Sequence, residues 1–309
     1  MNEAEMLRII SSTFSLGPDA DLLVGIGDDA AVVAGTTRKR LYATDMAVEG
    51  SHFQRDWSEL GEIGAKIVAA NLADIYAMGG VPKYLLVAAG IPATFSADEL
   101  QRLASGIQGE ALLVGARIIG GDLTRSHELT LSITVIGEVE SPVLRSTAKP
   151  GDEIVLSALT GYSALGYELL KRGIKDARST HHRKPVVHYS EISELSHDDR
   201  SRFTSLIDTS DGLISEANHL SEASGVQLAI ERDLLADMPG FSELDFLARN
   251  EHMDLWSLIL HGGEDHRFLG TVRGEIPQGF FRIGTVREGV GVSVDGEIAR
   301  HEGFDQFNA

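Results

Sequence analysis

The chain has 309 residues, 43% of them hydrophobic, no cysteine, and a formal net charge of −19 from 27 Lys and Arg against 46 Asp and Glu. That length accommodates two domains or one large one with an ample core, and the missing thiols exclude disulfides and thiolate metal sites. The acid surplus repels phosphate backbones and anionic membranes, so neither nucleic acid nor a membrane is an expected partner, and a polyphosphate needs cations as intermediaries. No run reaches membrane-spanning length and the start lacks a signal pattern, which fits a cytoplasmic protein.

In chain order, Met6, Ile9, Ile10 and Phe14 form an apolar stripe that predicts a helix over Asn2–Phe14. The run Leu22-Leu23-Val24 leads into the turn Gly25-Ile26-Gly27-Asp28-Asp29-Ala30-Ala31 and then Val32-Val33. Leu41–Thr44 reads as a strand ending at Asp45, followed by the loop Glu49-Gly50-Ser51-His52-Phe53. Gly61–Met78 is helical until Gly79-Gly80 and Pro82; it is apolar over most of its circumference, so Asn71 and Asp74 are polar groups in a buried setting. Lys83–Ile91 reads as a buried strand. Ser96–Leu113 is a helix with a capping-box start, Ser96-Ala97-Asp98-Glu99. A short strand, Arg117–Ile119, ends in Gly120-Gly121-Asp122-Leu123-Thr124-Arg125, and Leu129–Gly137 alternates as a strand. The break at Glu140-Ser141-Pro142 sets a boundary between domains 1–140 and 141–309.

The second half opens with Arg145 and Lys149-Pro150-Gly151-Asp152, then a strand over Glu153–Ser157 and a helix over Gly161–Arg172. Residues 173–185, with His181-His182, read as an exposed loop, since adjacent histidines point apart on most backbones. Arg202–Ile207 leads to Asp208-Thr209-Ser210-Asp211-Gly212 and a helix to about Ser224. Gly262-Gly263-Glu264-Asp265 precedes a strand over His266–Val272, and Gly303-Phe304-Asp305 closes the chain.

The turn at Gly25 matches G-x-G-x-x-A, but two carboxylates would face a pyrophosphate and no helix follows, so a dinucleotide site is rejected. P-loop, protein-kinase and H-E-x-x-H patterns are absent. What recurs is aspartate beside glycines, at strand ends or on the buried helix: Asp28, Asp29, Asp45, Asp74, Asp122, Asp208 and Asp211. Taken singly, each is a turn or cap residue. Together they form an oxygen-ligand set suited to Mg²⁺, which takes one or two carboxylates per ion and phosphate oxygens for the rest. A wide spread of such acids implies several ions around a nucleotide polyphosphate.

On these residues the chain resembles the thiamine-monophosphate kinase family, in the superfamily of aminoimidazole ribonucleotide synthetase, selenophosphate synthetase and the hydrogenase-maturation ATPases. The matching stretches are Gly25–Ala31, Thr44-Asp45 with Val48–Phe53, Asn71–Asp74 through Ala77–Gly79, Gly120–Asp122 with Thr124-Arg125, Arg145 with Lys149–Asp152, Asp208–Leu213 and Gly262–Asp265. They run in the family's order along nearly the whole chain.

The resemblance implies a mixed α/β fold of two domains, the N-terminal one dimerising through its strands, with the active-site cleft between them. It implies transfer of the ATP γ-phosphoryl group to thiamine monophosphate. Asp29, Asp45, Asp74, Asp122, Asp208 and Asp211 would hold Mg²⁺ with help from Thr44 and support from Asp28. Gly121, Asp122, Arg145 and Ser210 would meet the nucleotide, and His52, Glu264 and Phe304 the thiamine end. Two departures stand out: His266-Arg267 where relatives often carry Tyr-Glu, and Ala43 where they often carry Ser or Thr. The alternatives are a ring-closing synthetase of the same superfamily and a non-catalytic thiamine-phosphate or nucleotide binding protein.

Overall fold

A computed structural model describes residues 3–14, 20–24 and 32–299. The chain divides into two compact units, one of residues 1–75 and 80–141, the other of 76–79 and 142–309.

The first unit runs α1 (Glu3–Phe14), β1 (Leu22–Val24), β2 (Val32–Val33), β3 (Lys39–Val48), α2 (Leu60–Ala77), β4 (Val81–Pro92), α3 (Ala97–Leu113), β5 (Arg117–Ser126) and β6 (Thr130–Val139). β1 and β2 pair as a ribbon, and the others form a four-stranded sheet in the order β3-β6-β4-β5. β4 and β5 are parallel neighbours joined through α3, as a crossover requires; the other pairs are antiparallel. Alternation is clean on β6: Leu131, Ile133 and Val135 are buried while the residues between them are not. The buried face receives α2, whose Ile75 lies where a Cβ on Gly137 would go. Ile63, Val68, Leu72 and Ile75 of α2 are all buried, each burial contributing about 1.5–3 kcal/mol. α3 begins as its sequence predicts: Ser96 Oγ accepts from the Glu99 amide at 3.2 Å, and Glu99 Oε2 accepts from the Ser96 amide at 2.8 Å. Those bonds hold the Glu99 carboxyl below its ordinary range.

Two strands outrun their sequence expectation. β3 continues through Asp45 to Val48, because β6 offers ten residues of unbroken register. β5 absorbs Gly120-Gly121-Asp122 and runs to Ser126. The register shift between Leu85 and Leu86 admits the glycines, and Gly121 lies so close to Val87 that a Cβ would sit 1.8 Å from its carbonyl oxygen.

The second unit runs β7 (Glu153–Leu156), α4 (Tyr162–Lys171), a 3₁₀ turn (Ala177–Ser179), α5 (Thr180–Arg183), α6 (Ser190–Ser193), α7 (His197–Arg202), β8 (Phe203–Asp208), α8 (Leu213–Ser224), β9 (Gln227–Ile230), α9 (Arg232–Ala236), α10 (Phe241–Asn250), α11 (Leu255–His261), β10 (Phe268–Val272), β11 (Phe281–Arg287), β12 (Gly291–Val294) and β13 (Glu297–Ile298). Its seven-stranded sheet has the order β13-β12-β9-β11-β7-β10-β8, antiparallel except where β12 meets β9. Leu165 and Leu169 of α4 and Leu213, Ala217 and Leu220 of α8 pack with Ile207, Leu228, Leu269 and Ile283 of the strands into one core. The Lys149–Asp152 stretch is a brace: the fully buried Asp152 accepts from the Lys149 amide (2.9 Å), Thr204 Oγ1 (2.7 Å) and Arg273 Nε (2.8 Å).

The exposed loop expected over 173–185 is instead the 3₁₀ turn and α5, with His182 buried. Both adjacent histidines meet α4, His181 at the Tyr162 ring and His182 at the Tyr167 ring. Among the described residues, no helix is long and apolar enough to cross a membrane.

Candidate active site

In the first unit the predicted residues fall into separate places. Asp45 lies on β3, an edge strand, and its amide donates to Asn71 Oδ1 at 3.1 Å while Asn71 Nδ2 donates to Ile67 O at 2.9 Å. Asn71 is thus a buried amide bonded through both its oxygen and its nitrogen, and it covers a strand edge. Asp74 follows it by about one helical turn, so Asp45 and Asp74 are brought to the same edge. Asp122 is elsewhere. The register aligns Asp45 with Ile133, Val87 and Gly121, and Met46 with Ser132, Ala88 and Asp122. Asp45 therefore shares the helix-covered face, and Asp122 the open face on the opposite edge strand, three strand spacings or roughly 14 Å away. No single ion spans that gap.

Thr44 also faces away from Asp45; its Oγ1 donates to Ile133 O at 3.1 Å and lies 3.0 Å from Thr134 Oγ1. His52 is anchored at the end of β3: its Nδ1 accepts from the Val48 amide at 3.2 Å, which places the proton of a neutral ring on Nε2. Glu49 in the same loop pairs with Arg55 at 2.6 Å and accepts from the Leu129 amide, so it fixes the loop. Asp28, Asp29 and Phe304 lie outside the described residues.

The second unit gathers its predicted residues. β8 delivers Asp208, buried at 2% exposure, into the turn Thr209-Ser210-Asp211-Gly212. The stretch Gly262–Arg267 zips against that turn. The Glu264 amide donates to Ser210 O (2.6 Å), the His266 amide to Thr209 O (3.1 Å) and the Thr209 amide to Arg267 O (2.8 Å). Such contact needs glycine at Gly263, where a Cβ would lie 2.6 Å from Ser210 O. Glu264 and His266 hold left-handed φ values of 63° and 48°, a strained conformation for residues with a Cβ, of the kind found where function fixes the backbone. Arg145 is exposed, and its carbonyl accepts from Ser224 Oγ at 2.8 Å.

Three buried side chains around these acids were given no role in the sequence, and Glu216 was not singled out at all. Glu216, buried on α8, accepts from Ser210 Oγ and from the Asp211 amide with Oε1, both at 3.2 Å, and its Oε2 meets His219 Nδ1 at 2.9 Å. Its place one turn into the helix after Asp-Gly was the available signal. His266 Nδ1 lies 3.0 Å from Asp208 Oδ2, both side chains buried, so a departure from the family's usual Tyr lands on a candidate ligand. Asp265, fully buried, accepts from the Gly161 amide (2.6 Å) and the Ser163 amide (2.9 Å) and thereby ties the loop to the start of α4.

Burial pushes the Asp211 carboxyl up, and the Asp208 and Glu264 charges add to this against the opposing His219 and His266. Burial likewise raises Glu216, opposed by its bond with His219. Among the described residues no group of three or more His, Asp and Glu is placed to hold a metal ion by itself. Such a donor set suits a hard cation that completes its shell with a substrate's phosphate oxygens.

Residues 27–139 match the family described as AIR synthase related protein, N-terminal domain. The chain is 37% identical over 286 residues to a thiamine-monophosphate kinase of Mycobacterium tuberculosis, covering 90% of this chain and 84% of the relative. It superposes with TM-score 0.82 on a thiamine-monophosphate kinase from Stenotrophomonas maltophilia K279a, at 26% identity over 97% of this chain and 98% of that one. A solved structure described as AaThiL complexed with AMPPCP and TMP matches with TM-score 0.79 at 28% identity, over 97% of this chain and 96% of that one.

Proposed function

The chain belongs to the thiamine-monophosphate kinase family, and from that premise we propose that it transfers the γ-phosphoryl group of ATP to the phosphate of thiamine monophosphate, releasing ADP and thiamine diphosphate. The observation that carries the reading is the pairing of Asp208–Asp211 with Gly262–Arg267, which sets two carboxylates, a hydroxyl and Glu264 side by side. The acceptor is a phosphate oxygen, already ionised at neutral pH, so the chemistry requires no general base and we assign none. Alignment and neutralisation of charge are then what the protein must supply.

Magnesium fits the donors present: all are oxygens, and burial together with the Asp208 and Glu264 charges raises the Asp211 carboxyl. Its ligands in this proposal are Asp45, Asp74 and Asp122 from the first unit and Asp208 and Asp211 from the second, with Asp29 and Thr44. Several ions are required, because Asp45 and Asp122 are too far apart to share one. Bound there, they would offset the repulsion between the two phosphate groups.

The chain's own side chains do the rest. Arg145, Ser210 and the backbone around Gly121 and Asp122 bind the nucleotide. His52 presents Nε2–H to the substrate, its Nδ1 being occupied by Val48. The Glu264 carboxylate favours the cationic thiazolium, and Phe304 supplies a ring face.

We also propose a homodimer formed through the first unit. The sheet face opposite α2 exposes Tyr42 (69%), Met46 (58%) and Leu86 (36%), apolar side chains of the kind that mark an interaction surface. The cytoplasm is the proposed setting, in keeping with a chain free of cysteine.

Incubation with ATP, Mg²⁺ and thiamine monophosphate, followed by chromatographic separation, is expected to yield ADP and thiamine diphosphate in equal amounts. ADP without thiamine diphosphate, or no product above a Mg²⁺-free control, overturns the proposal.

A further inference from the structure

His182 is a residue that neither the motifs nor the family assignment brings to the site, yet it reaches the site directly. The segment that carries it is built to a fixed shape. Asp176 accepts from the Arg178 amide at 2.9 Å and opens the 3₁₀ turn, and the buried Ser179 donates its hydroxyl back to Asp176 O. α5 follows at once and packs on α4, where Gly166 leaves room: a Cβ there would stand 3.1 Å from the His182 Cβ. The His182 ring is held against Tyr167, their centroids 5.1 Å apart.

So placed, His182 Nδ1 lies 3.1 Å from Glu264 Oε2 and 3.3 Å from Ser163 Oγ. Ser163 is itself anchored, its amide held by Asp265 at 2.9 Å. The consecutive residues Glu264 and Asp265 are therefore gripped by the same pair of helices, Asp265 through the α4 amides and Glu264 through the α5 imidazole. Glu264 has a left-handed backbone and a side chain 34% exposed. Held only by its own torsions, a carboxylate on such a residue would be spread over several rotamers. One fixed donor narrows them to those that keep Oε2 on the ring.

We propose that His182 is a positioning residue: it orients the Glu264 carboxylate for the thiamine end of the substrate and so sets affinity for the phosphate acceptor without touching it. The proposal rests on the reading of Glu264 given above. It assigns a role to the α4–α5 pair, which fixes the direction of one charge across the core of the second unit.

The test uses three variants of the full chain. His182→Leu keeps the bulk and removes the donor. His182→Asn places an amide nitrogen close to the position of Nδ1. Glu264→Gln removes the charge that is oriented. The expected result is a roughly tenfold rise in KM for thiamine monophosphate in His182→Leu with KM for ATP unchanged, most of it recovered in His182→Asn. Combining His182→Leu with Glu264→Gln is expected to raise that KM no further than Glu264→Gln alone, because both act through one carboxylate. An unchanged acceptor KM in His182→Leu overturns the proposal. So does an equal rise in both KM values with a fall in Tm that His182→Asn shares, which is the signature of packing alone. The contact is also read without turnover, from the ring-nitrogen resonances of ¹⁵N-histidine-labelled protein. A His182 signal that ignores Glu264→Gln overturns the clamp itself. A signal that shifts while Glu264→Gln leaves the acceptor KM unchanged overturns the thiamine-end reading on which the clamp's purpose rests.

Discussion

In the first unit, Asp45 and Asp122 stand on opposite edge strands and opposite faces of one sheet. In the second, Asp208 and Asp211 sit within one turn, and buried neighbours hold them: His266 on Asp208, and Glu216 on the amide of Asp211. Dispersed acids repel one another little, so their substitution is expected to touch function more than folding. Crowded acids, one of them buried, need bonded partners, and the backbone at Glu264 and His266 beside them is strained. The same residue type thus carries different structural costs in the two units.

The contrast is broken most forcefully at Gly263. Gly263→Ala drives a methyl onto Ser210 O and is expected to lower stability by about 1–3 kcal/mol and to lower turnover on the order of a hundredfold, read by urea unfolding and product formation. In the first unit, Gly120→Ala meets only the tip of Leu86, at 3.3 Å, and should cost far less in the same unfolding experiment. Equal losses would mean that the close approach of Gly263 to Ser210 is not what holds the Asp208–Asp211 turn.

Glu216 separates charge from bonding. Glu216→Ala strands the Ser210 hydroxyl and the Asp211 amide and is expected to cost about 1–3 kcal/mol. Glu216→Gln keeps an acceptor for both. Because burial raises the carboxyl, the folded state disfavours its charge at neutral pH, so the Gln variant should melt no lower than the parent. A Gln variant as unstable as the Ala variant would mean that charge, not bonding, holds the turn.

Smaller effects are expected at the periphery. Met46→Glu on the open face should convert the proposed dimer to a monomer in sedimentation, with the turn of the second unit undisturbed. Arg145→Ala, at an exposed side chain, should raise KM for ATP by a few-fold and leave Tm unchanged.

The sequence was legible wherever a pattern is local. The Ser96–Glu99 cap, the apolar circumference of α2 and the order of the motifs all follow from residues a few positions apart. β5 was misread at Gly120-Gly121-Asp122 because glycines that suit a turn also suit a strand pressed against its neighbour, and Val87 is 34 positions away. Asp45 read as a strand end for the same reason: its continuation depends on β6. Clustering of acids was visible as a list, but their separation within the first unit is a property of strand order. His266 and His182 act on residues that only tertiary pairing brings near, and the departure at His266 is the one mark in their own neighbourhoods; Glu216 acts on a turn five and six positions before it, where its place in the first turn of α8 was the signal.

The central proposal is that Asp45 and Asp211 each serve the phosphoryl transfer. Its most direct measurement is thiamine diphosphate formation by the parent, Asp45→Asn and Asp211→Asn, each checked for an unchanged melting profile. Turnover in the parent with losses on the order of a hundredfold or more in both variants is the predicted result. Parent-like turnover in either variant would contradict it.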